Sequence, residues 1–190
     1  MINKSISMEI NCELRKQNFI AIDFETANGQ RDSACQLGVA VINAGKVFMR
    51  KSWLIKPPSE YFTFSYLHGI TYDSVRHEPT FGELWPEIQP YIEGKIVAAH
   101  NACFDTGVLL ATLKTYQLPI PSFHVIDSLQ IARKTWPGLS NHKLSTVANY
   151  LKIDLQHHEA ESDAVACAAI ICQAGWENIV IKAGGEGKSK

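Results

Sequence analysis

The chain has no strong excess of charge of either sign. Its 18 Lys and Arg against 19 Asp and Glu leave a formal net charge of −1, with a pI near 6.6. No global basic signature exists, so any contact with nucleic acid must use a local patch. Cysteine is scarce and unpatterned. Cys12, Cys35, Cys103, Cys167 and Cys172 make an odd set of five with no Cys-x-x-Cys pair. That argues against a disulfide framework and for reduced thiols in a cytoplasmic protein. No apolar run reaches the length of a membrane span, and Met1-Ile2-Asn3-Lys4 does not lead into the long apolar stretch of a signal peptide. The seven histidines include no His-x-x-x-His pair, and no Cys/His spacing supports a mononuclear zinc site. Internal repeats are absent.

What is present is an ordinary globular composition, 46% hydrophobic and 19% charged over 190 residues, enough for one domain with a sizeable core. Residues 1–17 are polar and of mixed sign, and read as an N-terminal extension outside the core. Residues 18–180 read as the domain, and 181–190 as a flexible tail in which Gly, Lys and Ser dominate. Within the domain the run from Phe19 reads as a buried strand. Cys35 to Ile42 and Lys46 to Ile55 read as two more strands, joined by a hairpin at Asn43-Ala44-Gly45. Thr80 reads as the cap of a helix running to Tyr91, with Pro86 and Pro90 expected to kink or shorten it. Strands at Lys95 to Ala99 and Phe123 to Ile126 then alternate with helices. These helices run from Ala102 to Tyr116, from Asp127-Ser128 to Lys134, from Leu144 to Leu151, and from about Ser162 to Trp176. A meander followed by alternating strands and helices predicts an α/β fold, with a mixed central sheet flanked by helices.

The first strand ends in Asp23-Phe24-Glu25-Thr26. Alternate strand residues share a face, so Asp23 and Glu25 point the same way and Phe24 points into the core. Two carboxylates that close repel. Either they are solvated in a polar turn or a cation lies between them. Asp105 follows a buried strand inside the first turns of a helix, and Asp163 opens an otherwise apolar helix. Each also suits the positive end of a helix dipole. His158 stands five residues before Asp163 and reads alone as a surface loop histidine. Together, four acids at element ends in an α/β order resemble a site rather than four coincidences. Hard oxygen ligands suit Mg²⁺ or Mn²⁺. Two such ions about 3.5–4 Å apart support phosphodiester hydrolysis, and a neutral histidine with a pKa of ~6.5 can serve as its base.

Asp23-Phe24-Glu25-Thr26, His100-Asn101-Ala102-x-Phe104-Asp105 and His158-x-x-x-x-Asp163 resemble the three motifs of the DEDDh 3′–5′ exonucleases. That family includes the proofreading subunit of bacterial DNA polymerase III, RNase T and oligoribonuclease. The motifs occur in the family's order, and the resemblance runs from about residue 18 to 175 without a departure at the five central positions. His68-Gly69-Ile70-Thr71, Asp127-Ser128-Leu129 and Lys143-Leu144 agree with it.

The resemblance implies a ribonuclease H-like fold and a metal-dependent exonuclease that releases nucleoside 5′-monophosphates from 3′ ends with two divalent cations. It implies that Asp23 bridges both ions, that Glu25 and Asp163 hold one of them, and that Asp105 serves the other. His158 is implied as the general base, chosen over its neighbour His157 by its spacing to Asp163. Thr26 and Ala27 are expected against the terminal nucleotide, and His68, Gly69 and Ile70 on its base or sugar. Asn101 and Phe104 are expected to support the site beside the substrate, and Asp127 to cap a helix rather than bind metal. Phe64 and Tyr66 read equally as core or as stacking residues. Arg31, Arg133, Lys134 and Lys143 are either phosphate contacts or solvated surface charges. The expected partner is a single-stranded 3′ end, with DNA favoured over RNA. An exoribonuclease and a non-catalytic end-binding subunit stand as alternatives. With no segment read as a polymerase tether, a freestanding enzyme or one loosely associated with a polymerase is expected.

Overall fold

The computed structural model describes residues 18–175, Ile179 and 181–184. The expected N-terminal extension, residues 1–17, lies outside the described residues. Six strands form one sheet in the order β3-β2-β1-β4-β5-β6. They are β1 (Phe19–Thr26), β2 (Ala34–Asn43), β3 (Lys46–Leu54), β4 (Lys95–Ala99), β5 (Phe123–Asp127) and β6 (Ile181–Gly184). β1 pairs antiparallel with β2 and parallel with β4, so the first strand is central and the sheet is mixed. The β2–β3 turn uses Ala44 and Gly45, both with positive φ (50° and 72°), as a two-residue hairpin matched to strand twist requires.

Among the described residues seven helices accompany the sheet: α1 (Ser65–His68), α2 (Tyr72–Val75), α3 (Phe81–Ile88), α4 (Cys103–Thr115), α5 (Ser128–Thr135), α6 (Leu144–Leu151) and α7 (Ala160–Ala174). The pleat of β1 divides the core. Ile20, Ile22 and Phe24 pack on one face with Phe81, Trp85 and Ile88 of α3 and Val108, Leu109 and Leu113 of α4. Phe19 and Ala21 pack on the other with Ala164, Cys167, Ala168 and Ile171 of α7. Asp23 and Glu25 continue the second series, so they emerge toward α7. α6 lies outside α7, joined to it through Val147, Ala166 and Ile170. No helix among the described residues is long and apolar enough to cross a membrane.

Two expectations change. The helix predicted to run to Tyr91 ends at Ile88 and continues only as a 3₁₀ turn over Gln89–Tyr91. Pro90 has no N–H to donate, which favours that stop. Its start is as expected: Thr80 Oγ1 accepts from Glu83 N at 3.3 Å, and Thr80 N donates to Glu83 Oε2 at 2.7 Å. Residues 181–184, expected in the flexible tail, form β6 against β5. The glycine that suggested flexibility is instead what fits there. A Cβ on Gly184 would lie 2.4 Å from the Phe123 ring. The last helix ends at Ala174 on Gly175, whose φ is 77°; Trp176, expected within it, lies outside the described residues.

Candidate active site

Asp163 reaches β1 because α7 passes unusually close to the sheet. Gly38 of β2 is the register partner of Asp23. A Cβ on Gly38 would lie 2.1 Å from the carbonyl carbon of Ala160, the first residue of α7. Small side chains along α7 extend this contact, with Ala160, Ala164 and Ala168 at most 1% exposed. Glu159 caps the helix by accepting from Ser162 N at 2.8 Å, so the helix opens at Ala160, among the residues just before Ser162 where its start was expected. Asp163 then sits in the first turn, 4% exposed. Oxygens of Asp23, Glu25 and Asp163 all lie within 4.8 Å of one another.

Asp105 approaches from the opposite helix layer. It is 2% exposed, and its Oδ1 accepts from Phe24 N at 3.0 Å. That bond fixes α4 against the strand carrying Asp23 and Glu25. All four acids line one cleft of about 480 Å³, together with His100, Asn101, Phe104, Arg133, His142, Lys143 and His158.

The electrostatics are those of crowded acids. Burial, then Asp105, Asp163 and Glu25, hold the Asp23 carboxyl well above its usual range. Burial, then Asp163, pushes Glu25 up to about 7. Burial pushes Asp105 up to about 7 against the opposing bond from Phe24 N. Burial also raises Asp163, while the two histidines beside it pull it down. Asp163 Oδ1 is buried with no hydrogen-bond partner among the described residues. An all-oxygen donor set with an unpartnered buried oxygen fits a hard divalent cation.

The two adjacent histidines make different contacts. His157 Nδ1 donates to Asp163 Oδ2 at 2.9 Å, and the His158 backbone N–H donates to the same oxygen at 3.2 Å. His158 adopts a left-handed φ of 68°, which turns its ring toward the other carboxylate. Its Nδ1 lies 3.9 Å from Glu25 Oε1. The two rings stack with centroids 3.9 Å apart. Burial, then His157, lowers the His158 pKa, with Asp163 pulling the other way.

The other expected contacts divide. Asn101 and Phe104 line the cleft. His68 does not, but it braces the end of β1: Nε2 donates to Thr26 O and Nδ1 accepts from Ile70 N, both at 3.1 Å. Gly69 closes α1 with a φ of 75° and is exposed. Thr26, Ala27 and Ile70 are 4%, 0% and 8% exposed. Ala27 also spends its carbonyl on Thr63 N and Phe64 N. Ala27 and Ile70 therefore present no open side chain at the cleft. Both belong to a small core with Cys35 and Val75, because the apolar residues beside a polar motif are claimed by packing. Phe24 is core, 3% exposed, whereas Tyr66 is 79% exposed. Asp127 caps α5, accepting from Leu129 N at 2.9 Å.

Of the wall made by Asn141, His142 and Lys143, sequence reasoning singled out Lys143 but not Asn141 or His142, and His100 holds it. His100 Nε2 donates to His142 O and Nδ1 accepts from Ser128 Oγ, both at 2.8 Å. The cue for His100 was that it stands directly before Asn101 at a strand end.

A mixed sheet of this order, with acids at the end of its central strand and helices on both faces, defines the ribonuclease H-like class. Within it, residues 20–171 match the family described as Exonuclease (RNase_T), and the chain belongs to that family of hydrolases. The chain is 30% identical over 166 residues to DNA polymerase III PolC-type of Streptococcus thermophilus, covering 85% of this chain and 11% of the relative. It is 29% identical over 165 residues to the 3′-5′ exonuclease DinG of Bacillus subtilis, covering 84% and 18%. The chain thus spans less than a fifth of either relative. Among solved structures, Exonuclease X in complex with 5′ overhanging duplex DNA superposes with a TM-score of 0.68 at 24% identity, covering 82% of this chain and 90% of that one. A 3′-exonuclease described for 3′-end specific recognition of a histone mRNA stem-loop gives 0.71 at 16% identity, covering 98% and 79%.

Proposed function

We propose that this chain removes nucleoside 5′-monophosphates one at a time from the 3′ ends of DNA. The observation that carries the reading is the convergence of Asp23, Glu25 and Asp163 within 4.8 Å, with buried Asp105 in the same cleft. Asp23, central among the acids, would be shared by two divalent cations, Mg²⁺ or Mn²⁺. Glu25 and Asp163 would complete one position and Asp105 the other. The chemistry such a pair supplies when bound is activation of the attacking water and stabilisation of the departing oxygen. His158, neutral and beside Glu25, takes the proton of that water. His157 keeps Asp163 oriented. Asn101 and Phe104 receive the terminal nucleotide.

DNA is favoured by the similarity to a DNA polymerase III of PolC type, and service to a polymerase belongs to the same proposal. An exoribonuclease of the same chemistry is the second reading, because a neighbour of the same fold is described as recognising an mRNA end. A reducing, cytoplasmic setting is supported by the free thiols of Cys35, Cys103, Cys167 and Cys172. The test is degradation of end-labelled single-stranded DNA, duplex DNA and short RNA side by side. The expected order has single-stranded DNA fastest. RNA degraded faster by tenfold would transfer the proposal to the second reading.

A further inference from the structure

Arg31, in the loop between β1 and β2, is read from the sequence as a phosphate contact or a solvated charge. It is exposed in this structure, and its guanidinium is engaged by α4. Its Nη1 donates to Cys103 O and to Phe104 O, both at 2.9 Å. The guanidinium carbon lies 5.7 Å from the centroid of the Phe104 ring. The adjacent Asp32 accepts from Thr115 Oγ1 at 3.0 Å, so this loop straps α4 at both ends.

The fit depends on a missing side chain. Gly107 lies one turn beyond Cys103, inside α4, where glycine is less favourable than alanine. Its backbone has no positive φ that would demand glycine. A Cβ there would lie 1.9 Å from Arg31 Nη1 and 2.7 Å from its Cζ. The glycine leaves room for the guanidinium. What the guanidinium holds is the turn bearing two site residues. Phe104 is 37% exposed and lines the cleft, and Asp105 is the next residue along.

We propose that Arg31 is a positioning residue of the terminal-nucleotide subsite: it fixes the Phe104 ring as the surface on which the nucleotide rests, and Gly107 is the residue that admits it. The proposal rests on the exonuclease reading above. Nη1 is engaged by two backbone carbonyls and the guanidinium lies over the Phe104 ring, so Arg31 acts on the subsite through Phe104.

The test is a mutant cycle of Arg31→Ala, Gly107→Ala and their combination, with Phe104→Ala beside them. The readouts are KM and kcat on a short single-stranded oligonucleotide, oligonucleotide binding by anisotropy in an Asp23→Ala background, and Tm. Stacking on an aromatic ring is worth enough to shift binding by about tenfold. Arg31→Ala is expected to raise KM by about fivefold to tenfold with a smaller change in kcat, and to add nothing to Phe104→Ala. Arg31→Lys recovers little, because an ammonium lacks the planar group that lies against the ring. Gly107→Ala reproduces the KM defect at an equal or higher Tm, since alanine favours the helix. In the Arg31→Ala background it is silent.

Unchanged KM in Arg31→Ala overturns the proposal. So does a Gly107→Ala defect that persists without Arg31, or an Arg31→Ala defect that multiplies with that of Phe104→Ala. A wild-type chain that binds oligonucleotide but never cleaves it sinks the exonuclease reading alone, and the anisotropy cycle still decides on Arg31. A wild-type chain that binds no oligonucleotide overturns both.

Discussion

Asp163 Oδ2 accepts a hydrogen bond from His157 Nδ1 at 2.9 Å. The carboxylate is 5% exposed while the imidazole is 39% exposed, so a partly solvated ring orients a buried acid. The next histidine also stands beside this acid, its ring nitrogen within 4.8 Å of the carboxylate, and brings Nδ1 to 3.9 Å from Glu25 Oε1. In the proposed mechanism the pair would divide two functions between neighbouring residues. His158→Ala is expected to lower kcat by roughly 10²- to 10⁴-fold, the usual worth of a general base, with metal affinity nearly intact. His157→Ala is expected to cost less in kcat and to weaken metal affinity, because it frees Asp163. Metal titration of both variants, by activity and by calorimetry, checks the division. The opposite pattern would exchange the roles.

Removing Asp23 tests the cage. Asp23→Asn is expected to lower hydrolysis by at least about 10²-fold, in line with losing one electrostatic contact to a reacting centre. The same substitution removes a like charge from among Glu25, Asp105 and Asp163. It is therefore expected to raise the Tm of the metal-free protein. Thermal scans in EDTA beside rate measurements separate the two effects; a Tm that falls would show that Asp23 is not repelled by its neighbours.

Acidity gives a second handle on the same charges. Glu25 and Asp105 have their pKa raised to about 7 from ordinary values of 4.5 and 3.8. A group whose folded pKa is raised favours folding while it stays protonated. That stability is fully present below the unfolded pKa and is lost as pH rises through the folded pKa. The Tm of the metal-free protein is thus expected to fall between about pH 4 and pH 7 and a little beyond. Mg²⁺ or Mn²⁺ is expected to raise Tm more at pH 8 than at pH 5, since ligand binding favours the folded state and needs ionised carboxylates. A pH scan of Tm with and without metal reads both; a metal-free Tm that rises across this window would contradict the account.

Gly38→Ala probes how α7 is seated. The added Cβ would meet backbone atoms of Ala160 and Glu161 at 2.1 to 2.4 Å, and backbone cannot swing aside as a side chain can. A destabilisation of about 1–3 kcal/mol is expected from overpacking, seen as a lower urea midpoint. Activity is expected to fall further than the folded fraction explains, because Asp163 moves with α7. A variant of normal stability and normal kcat would show that the close approach is dispensable.

Much of this was legible in the sequence, for identifiable reasons. Asp23 and Glu25 could be placed on one face because strand periodicity is strict, and the pleat does put them opposite Ile22 and Phe24. Thr80 and Asp127 announced their helices because capping chemistry is local. Asp105 and Asp163 could be grouped only through motif order, since nothing local says that Phe24 N and Gly38 will receive them. The inward packing of Ala27 and Ile70 was not legible because a motif's spacing does not tell which members are buried. Residues 181–184 were misread because glycine signals flexibility in a sequence but also permits close packing, as against Phe123. Arg31 was invisible as a clamp because its partners are carbonyls on a helix some seventy residues away.

The most direct test of the central claim is the product pattern from 5′-labelled single-stranded DNA with Mn²⁺, with EDTA, and with the Asp23→Ala variant. A ladder shortening one nucleotide at a time from the 3′ end, accompanied by nucleoside 5′-monophosphates and absent in both controls, is the result predicted. Internal cleavage, release from the 5′ end, or a ladder that persists in EDTA or in Asp23→Ala would contradict it.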